Sequence, residues 1–467
     1  MGLTATRLER TAEDLAAVDR ERIIHPYLPA STGERVVMVA GEGCRLRDAE
    51  GREYLDATGG LWLAQIGHGR REIAEAAARQ MERLEYFTSF WEFSNDRAIE
   101  LAERLVSISP PRQTHVYFTS GGSEGNEAAL KLSRYAHWRR GERERTWILA
   151  RRQAYHGVGY GSGTATGFPV YHDGFGPMLP NVAHLTQPWP YRAELFAGED
   201  PTEFCIRELE EKIAEIGPQR IAAFIGEPVM GVAGMLVPPD DYWPRVEEVL
   251  REHGITFIFD EVVSAYGRIG RWFAAEHFGV EPDIIVTAKG ITSGYAPLGA
   301  VLVSAEIAEA VTEEGFPMGF TYNGHPTSCA VALANLDVIE REGLLDQARE
   351  TGTYILERLN GLTELPVVGE VRGVGMMHAV ELVGDRDTRN PLAMDAAPQD
   401  VIRRETGVIV RDCQHNLVIS PPLIMTRQEA DEVVDAMRSV LERTTPDGRI
   451  AREAREQARD QDGNRDA

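Results

Sequence analysis

The middle of the chain alternates short apolar runs with longer stretches whose apolar residues recur at helical spacing, and this limits the fold more than any other feature. Predicted strands cover residues 116–119, 147–150, 221–225, 256–259, 284–286 and 300–303. Predicted helices between several of them cover residues 124–140, 202–216 and 242–253. The pattern is typical of an α/β protein with a mostly parallel central sheet, covered by helices on both faces. In such a sheet, functional side chains collect at the carboxyl ends of the strands.

The flanking regions follow other patterns, and a chain of 467 residues suits two or three domains. We predict that residues 71–325 form a large domain around the sheet. Residues 326–445 contain two long helices, short strands and a last helix, which predicts a smaller α+β domain. Residues 1–70 are predicted to be an N-terminal segment that packs with the small domain. Residues 446–467 form a polar tail, predicted to be a frayed helix or disordered.

Within the N-terminal segment, we predict a helix over residues 7–24 and a small meander of strands over residues 33–56. Gly59 and Gly60 follow as a flexible pair. Trp62 comes next and is interpreted as an aromatic residue of the exposed type.

Composition restricts the partners and the compartment. The formal charge of −24 at pH 7 argues against binding to nucleic acid or to an anionic membrane. No apolar run approaches the roughly 20 residues that span a bilayer, and no signal-peptide pattern is present. The four cysteines are scattered without disulfide or metal spacing, as in a reduced compartment. We therefore expect a cytoplasmic protein.

A glycine-rich turn between a predicted strand and a predicted helix is a candidate phosphate site. The turn reads Ser120-Gly121-Gly122-Ser123, and the helix after it presents backbone N–H groups to an anion. A capping box, formed by one of these serines with Glu124 or Glu127, is the structural alternative. No lysine follows a glycine, which excludes a Walker A loop, and no Gly-x-Gly-x-x-Gly fingerprint occurs. The pattern favours a phosphate ester other than a nucleotide.

Charged residues follow three successive predicted strands: Glu227, Asp260 and Lys289. Intervals of 33 and 29 residues each fit one strand–helix–strand crossover, so the three side chains are expected at one end of the sheet. Lys289 is one of three lysines among 49 basic residues, and an amine that must exchange a proton and attack a carbonyl has to be lysine. Solvated loop acids, metal ligation and a lysine that snorkels to solvent are the alternatives.

A buried lysine, a buried acid and a phosphate cradle together fit pyridoxal 5′-phosphate. This cofactor needs an amine for its Schiff base, an acid that keeps its ring nitrogen protonated, and an anchored phosphate. Desolvation lowers the pKa of a buried amine and makes it a competent proton shuttle. Tyr155, after the predicted strand at residue 147, is placed to stack on the ring, although a core tyrosine has the same pattern.

From about residue 51 to residue 425, the chain resembles the class III pyridoxal-phosphate aminotransferases, the ω-aminotransferases of fold type I. The motifs that carry the resemblance are Thr-Ala-Lys-Gly, Phe-Asp-Glu-Val and Gly-Glu-Pro-Val. They imply that Lys289 is the Schiff-base lysine and that Asp260 is the partner of the pyridine nitrogen. Glu227 matches an acid that such enzymes place near the cofactor and the lysine.

The resemblance also implies the other cofactor contacts. Gly122 and Ser123 match the Gly-Ser phosphate loop of the family. Val262 and Tyr155 would pack against opposite faces of the ring. His156, next to Tyr155, belongs to the same predicted cofactor-binding set.

Thr321 lies in Gly-Phe-Thr-Tyr-Asn-Gly-His-Pro and matches a threonine that reaches the phosphate of the neighbouring subunit. The resemblance therefore implies a homodimer, or a dimer of dimers, with the active site at the interface. The glycines after Lys289 are expected to leave room for cofactor, substrate and a loop of the partner subunit.

Gly-Gly-Leu-Trp and Val-Arg-Asp-Cys look most like the pyruvate-using branch, which accepts ω-amino acids and amines. Trp62, Phe90 and Arg411 are the predicted substrate-binding residues. Arg411 would bind a carboxylate when the donor has one and swing away when the donor is an uncharged amine. A surface strand residue is the alternative for Arg411.

Two segments depart from the family pattern. Ser120-Gly121-Gly122-Ser123 replaces the usual Asn-Ser-Gly-Ser, which changes how the first hydroxyl of the loop is supplied. Residues 166–172 carry Val170 at the position where we expect a tyrosine, so a different pocket shape is predicted.

We predict a pyridoxal-phosphate-dependent aminotransferase that transfers an amino group to a keto acid, pyruvate, by a ping-pong mechanism. A β-alanine, taurine, diamine or arylalkylamine donor fits the sequence equally well. An aminomutase or a decarboxylating relative of the same fold is the alternative within the family. A cofactor-binding protein without turnover is the alternative outside it.

Overall fold

The computed structural model describes residues 10–29, 31–394 and 396–451. Thr11 caps the first helix with its hydroxyl, which accepts a hydrogen bond of 3.1 Å from the Asp14 N–H. The predicted helix and meander are both present, although the helix begins later than residue 7, and residues 7–9 lie outside the described residues. The elements of this region are α1 (Ala12–Arg22), β1 (Met38–Glu42), β2 (Arg45–Asp48), β3 (Glu53–Asp56) and the single turn α2 (Gly59–Trp62).

The central region folds as the alternation of strands and helices predicts. Short 3-10 helices lie at Pro169–Tyr171, Ala193–Phe196, Pro218–Arg220 and Lys289–Ile291. The remaining elements are α3 (Arg71–Arg83), α4 (Asp96–Ile108), β4 (Gln113–Thr119), α5 (Gly122–Arg139), β5 (Trp147–Arg151), α6 (Tyr160–Ala165), β6 (Val182–Leu185), α7 (Pro201–Ile216), β7 (Ile221–Gly226), α8 (Tyr242–Glu252), β8 (Thr256–Asp260), α9 (Ala274–Phe278), β9 (Ile284–Thr287), β10 (Gly299–Ser304) and α10 (Ala305–Thr312).

Seven of these strands form one sheet in the order β4-β10-β9-β8-β7-β5-β6. Every pairing among β9, β8, β7, β5 and β6 is parallel, and β10 is antiparallel to both β4 and β9. The predicted mostly parallel sheet is confirmed. Strands β7, β8 and β9 are direct neighbours, so their carboxyl ends meet at one edge of the sheet.

Strand β8 shows how helices cover both faces of the sheet. Ile258 packs into a buried cluster with Ala128 and Leu132 of α5. Phe257 and Phe259 lie in the cluster on the other face, with ring centres 5.8 and 4.8 Å from that of Trp243 in α8. Each such side chain contributes about 1.5–3 kcal/mol by leaving water. The strand ends are therefore held rigidly.

The C-terminal region forms a second, antiparallel sheet in the order β11-β12-β16-β15, with a short strand β13 beside β12. Helix α13 and strand β13 were not predicted, because the polar stretch before them carries no apolar period. The elements are α11 (Pro326–Arg341), α12 (Leu344–Asn360), a 3-10 helix (Gly361–Glu364), β11 (Val368–Val374), β12 (Met377–Asp385), β13 (Asn390–Pro391), α13 (Pro398–Thr406), β14 (Val408–Ile409), β15 (Arg411–Cys413), β16 (Asn416–Ile419) and α14 (Arg427–Leu441).

The two ends of the chain meet in a third sheet, of order β1-β2-β3-β14. Strand β14 pairs in parallel with β3, and Leu55 lies opposite Val408. The domain boundaries at residues 70, 325 and 445 remain predictions. Residues 446–451 form a turn in which Ile450 bridges back to Thr444, and residues 452–467 of the predicted tail lie outside the described residues.

In the part of the chain that the structure describes, none of the helices has the length and apolar character needed to cross a bilayer.

Candidate active site

A cavity of about 780 Å³ opens at the carboxyl ends of β7, β8 and β9. Its volume is in the usual range for a cofactor or substrate pocket. Ten of the twelve predicted site residues line it: Trp62, Gly122, Ser123, Tyr155, His156, Glu227, Asp260, Val262, Lys289 and Arg411. Phe90 and Thr321 do not. The topology of the sheet therefore brings together residues that are far apart in sequence.

Lys289 begins the short 3-10 helix that follows β9, with φ at +46°. A left-handed conformation is costly for a residue other than glycine and is typical of functional positions. Burial lowers the pKa of the Lys289 amine to about 8, and the nearby Asp260 and Glu227 carboxylates oppose this shift. A substantial fraction of the amine is therefore neutral near pH 8.

The glycines in the turn after Lys289 make room for groups other than those expected. A methyl group on Gly290 would overlap the Gln65 amide, and one on Gly294 would overlap Leu63. These glycines leave room for the N-terminal segment of the same chain. The expectation that they make space for cofactor, substrate and a partner loop is wrong for Gly290 and Gly294.

Asp260 ends β8, and its buried carboxylate has three hydrogen-bond partners. Its Oδ2 accepts from Asn126 Nδ2 at 2.7 Å and lies 2.7 Å from His156 Nδ1. Its Oδ1 accepts from the Val262 N–H at 3.1 Å. Because an ionised carboxylate only accepts hydrogen bonds, the proton of His156 lies on Nδ1. Three donors hold the charge in one orientation inside the cavity.

Helix α5 begins at Gly122, and the turn before it fits a phosphate. Glu124 accepts a hydrogen bond of 2.8 Å from the Ser120 N–H, while the N-cap residue Gly121 makes no side-chain cap. Among the described residues the Ser123 hydroxyl makes no hydrogen bond. The alternative of a capping box is therefore not formed at Ser123, whose hydroxyl is available to an anion at the N-terminus of an 18-residue helix.

Small residues keep this turn close to its neighbours. A methyl group on Gly122 would lie 2.8 Å from Val262 Cγ1, and one on Gly157 would lie 2.6 Å from Ser123 Oγ. The phosphate turn, the residues after β5 and the residues after β8 therefore surround one end of the cavity. Together with Lys289 and Asp260, they meet the three needs of pyridoxal phosphate: an amine, an acid and an anion cradle.

Glu227 follows β7 and is 5% exposed. Its Oε1 accepts from the Tyr155 N–H at 3.0 Å, and its Oε2 accepts from the Gly231 N–H at 2.9 Å. Burial raises the pKa of this carboxyl group, and the two N–H groups oppose the shift. Both oxygens of Glu227 therefore accept hydrogen bonds from the backbone, and the residue lines the cavity instead of lying in a solvated loop.

Trp62 and Arg411 lie at the other end of the cavity. Trp62 is only 2% exposed, so the interpretation of this residue as an exposed aromatic is wrong. The Arg411 guanidinium lies 5.0 Å from the centre of the Trp62 ring, and Lys289 Nζ lies 5.6 Å from it. Arg411 begins β15 and lines the cavity, which is not the placement of an ordinary surface strand residue.

Among the other residues that line the cavity, three that were not predicted make contacts that shape the site: Tyr171, Tyr27 and Asn126. Tyr171 lines the cavity, with its ring 5.3 Å from that of Tyr155, whereas Val170 is 64% exposed. Tyr27, from the N-terminal segment, packs edge-on against Tyr171 at 6.1 Å. Asn126 holds Asp260. Its position four residues after Gly122, on the same face of α5, was a signal that could have identified it, whereas the sequence around Tyr27 carries none.

Phe90 and Thr321 lie outside the cavity of their own chain. The Thr321 carbonyl accepts a hydrogen bond of 2.7 Å from the Tyr86 hydroxyl, and Phe90 packs tightly against Gly319. Phe90 does not line the cavity of its own chain, and its role in substrate binding stays a prediction. Phe90 and Thr321 can therefore contribute only to the active site of a neighbouring subunit.

The model of the aminotransferase class-III family matches residues 28–441, and the chain belongs to this family. It is a pyridoxal-phosphate-dependent aminotransferase of fold type I, acting on an amino donor and a keto acid. It is 37% identical to the putrescine–pyruvate aminotransferase of Pseudomonas aeruginosa over 88% of this chain and 91% of that protein.

Solved structures agree with this assignment. A thermostable (S)-enantioselective ω-transaminase from Thermomicrobium roseum has a TM-score of 0.89 and 45% identity, covering 92% of this chain and 98% of that one. An amine transaminase from an uncultivated Pseudomonas species, solved in its PLP-bound form, has a TM-score of 0.86 and 42% identity, covering 89% and 97%.

The packing of Gly122 predicts a specific loss of cofactor affinity. We expect Gly122→Ala to push the turn away from Val262 at a cost of about 1–3 kcal/mol, and so to weaken binding of pyridoxal phosphate roughly 5- to 150-fold. Absorbance titration of the cofactor-free enzyme measures this. Gly121→Ala is the control, because a methyl group there meets nothing within 4 Å. Equal losses in the two variants would contradict the assignment of the turn.

The charges around Lys289 predict its titration. With only three lysines in the chain, NMR of ¹³C-lysine-labelled, cofactor-free protein gives three ε-methylene signals, and Lys289→Arg identifies one of them. We expect that signal to titrate near pH 8. Asp260→Asn should lower the pKa further, because it removes a negative charge that favours the ammonium form. An unchanged or higher pKa in this variant would show that Asp260 does not act on the amine.

Proposed function

We propose that this aminotransferase takes its amino group from an ω-amino acid or a primary amine and gives it to pyruvate by a ping-pong mechanism. The observation that carries the proposal is the position of Arg411. Its guanidinium lies in the cavity yet rests on an indole ring rather than on an acid. An arginine that is not paired with an acid can bind the carboxylate of a donor that has one. It does not prevent the binding of an amine donor without a carboxylate. Two relatives, the putrescine–pyruvate aminotransferase and the amine transaminase described above, support the same donor class and acceptor.

Pyridoxal phosphate, when bound, supplies an electron sink for the carbon that carries the amino group. In the proposed arrangement, Ser123 and the N-terminal N–H groups of α5 hold its phosphate. Asp260 holds a proton at the pyridine nitrogen, and its three hydrogen bonds fix the direction of that charge. Tyr155 and Val262, both in the cavity wall, bracket the ring.

Lys289 is the proposed base. Its Nζ takes the proton from the amino-bearing carbon of the donor and returns a proton on the side of the cofactor. An amine with a pKa of about 8 does this near neutral pH, since both of its protonation states are populated. Glu227 lies near the amine, and two backbone N–H groups fix the direction of its carboxyl group.

We also propose that the enzyme is a homodimer whose partner subunit completes the site. Four exposed aromatic residues make up what we call the aromatic patch: Phe87, Trp91, Phe93 and Tyr322. They lie in two segments of the chain that the hydrogen bond from the Tyr86 hydroxyl to the Thr321 carbonyl joins. Trp91 is 84% exposed and Tyr322 is 59% exposed. Such a patch is typical of a protein–protein interface. Its burial by a second copy would carry Thr321 and Phe90 toward the cavity of that copy.

Half-reactions test the proposed function. With pyruvate absent, each candidate donor is expected to change the absorbance spectrum of the bound cofactor and to release one oxo product per cofactor. Addition of pyruvate should then restore the original spectrum and yield alanine. Lys289→Ala should lose at least about 10³-fold in this rate, because it removes the base. A Lys289→Ala variant that keeps the wild-type rate would contradict the proposal. Conversion of the donor without alanine formation would instead indicate an aminomutase or a decarboxylating enzyme.

Sedimentation velocity tests the dimer. Trp91→Glu places a charge in the aromatic patch, and we expect it to shift the wild-type dimer toward monomer and to lower activity together with the dimer fraction. Trp138→Glu is the matched control, because Trp138 is also an exposed tryptophan but lies on α5 outside the patch. A monomeric wild type, or equal dissociation of both variants, would contradict the proposal.

A further inference from the structure

The turn that carries Lys289 is strained at two positions. Lys289 has φ at +46°, and Ser293, four residues later, has φ at +49°. Residues other than glycine adopt this left-handed conformation only when their surroundings hold them in it. The hydrogen bonds inside the turn are long: the Thr292 N–H lies 3.3 Å from the Lys289 carbonyl, and the Ser293 N–H lies 3.3 Å from the Gly290 carbonyl. The turn therefore depends on support from other parts of the chain.

Asn335, on helix α11, supplies much of this support. It is 0% exposed, and its Nδ2 donates to the Gly290 carbonyl at 2.9 Å and to the Ile291 carbonyl at 3.0 Å. Its Oδ1 accepts from the Ser293 hydroxyl at 2.6 Å. Carbonyl oxygens only accept hydrogen bonds, so the amide has one favourable orientation, in which Nδ2 faces the two carbonyls. One side chain thus bonds to both halves of the strained turn.

The N-terminal segment contacts the same turn. The Ser293 hydroxyl, which donates to Asn335, also accepts from the Ile66 N–H at 3.3 Å. The Gln65 amide lies so close to Gly290 that a methyl group there would overlap it. Two distant parts of the chain therefore meet at the residues that directly follow Lys289, and the Asn335 amide is bonded to the backbone of those residues.

We propose that Asn335 is a positioning residue that holds the Lys289 amine in the cavity by fixing the two carbonyl groups that follow it. The proposal deepens the proposed function and rests on Lys289 as its base. Without the Asn335 amide, two buried carbonyls lose their donor, and the turn relieves this loss by rotating its peptide groups. The rotation releases Lys289 from its left-handed conformation and displaces its side chain. A displacement of about 1 Å is enough to slow a reaction roughly 100-fold.

Two substitutions separate hydrogen bonding from packing. Asn335→Leu keeps nearly the same shape but has no donor, whereas Asn335→Ala leaves room for water, which can bond to the carbonyls. In cofactor-free protein, NMR follows the Lys289 ε-methylene signal, whose pKa is about 8 in the wild type. We expect Asn335→Leu to raise this pKa toward the ordinary lysine value of about 10.4, because the amine leaves its buried position. The half-reaction of the loaded enzyme should slow roughly 10- to 100-fold, with Asn335→Ala between Asn335→Leu and wild type.

Leu336→Ala is the matched control, since Leu336 is the next residue of α11 and is also 0% exposed. We expect it to lower thermal stability by the loss of packing and to leave the pKa of Lys289 near 8. Ser293→Ala is a milder variant that keeps both donors of Asn335 but removes the hydroxyl that orients its amide. It should move the pKa of Lys289 in the same direction by a smaller amount. Circular dichroism verifies that each variant is folded.

Two results would overturn the proposal. One is a wild-type titration of Lys289 in Asn335→Leu, which would show that the amide only fills space. The other is an equal change in Leu336→Ala, which would show that any loosening of α11 has the same effect. Because the NMR titration needs neither cofactor nor turnover, it stands apart from the proposed function. A shifted Lys289 signal in an enzyme whose wild type forms no alanine from pyruvate would contradict that function and leave the role of Asn335 intact.

Discussion

The Asp260 carboxylate accepts hydrogen bonds from three parts of the chain, and the geometry of the site depends on this interaction. Asn126 comes from α5, His156 from the residues after β5, and Val262 from the turn after β8. A buried carboxylate without hydrogen-bond donors would cost free energy of folding, so these three hydrogen bonds hold the segments in place around Asp260. The same segments carry the predicted phosphate cradle and both predicted walls of the cofactor site. One carboxylate thus links the segments that make up the predicted cofactor site.

Two cations also line the cavity. Lys289 and Arg411 both lie within 6 Å of the Trp62 ring, and the two positive charges disfavour each other. Burial lowers the pKa of the Lys289 amine and so reduces this repulsion. One aromatic ring, that of Trp62, therefore lies beside both cations of the cavity.

Sequence patterns predicted the parts of this structure that follow from buried strands. The runs before Glu227, Asp260 and Lys289 are continuous, apolar and rich in β-branched and aromatic residues, and they form adjacent strands as expected. Strand β6 was missed because it is a four-residue edge strand with one fully buried side chain. The burial of Trp62 depends on Gly231, more than 160 residues away, and the use of Tyr171 in place of residue 170 depends on the local turn. Neither contact leaves a periodic trace in the sequence.

The pairing of β3 with β14 joins Leu55 to Val408 and closes a loop of about 350 residues. Contacts between such distant positions are slow to form, and during synthesis this one has to wait until nearly the entire chain has left the ribosome. Trp62 and the turn that carries it come directly after β3. The part of the cavity wall that contains Trp62 and Arg411 is therefore completed after the strands that carry Glu227, Asp260 and Lys289 have been made. A nascent chain can already possess those three residues while this part of the wall is still missing.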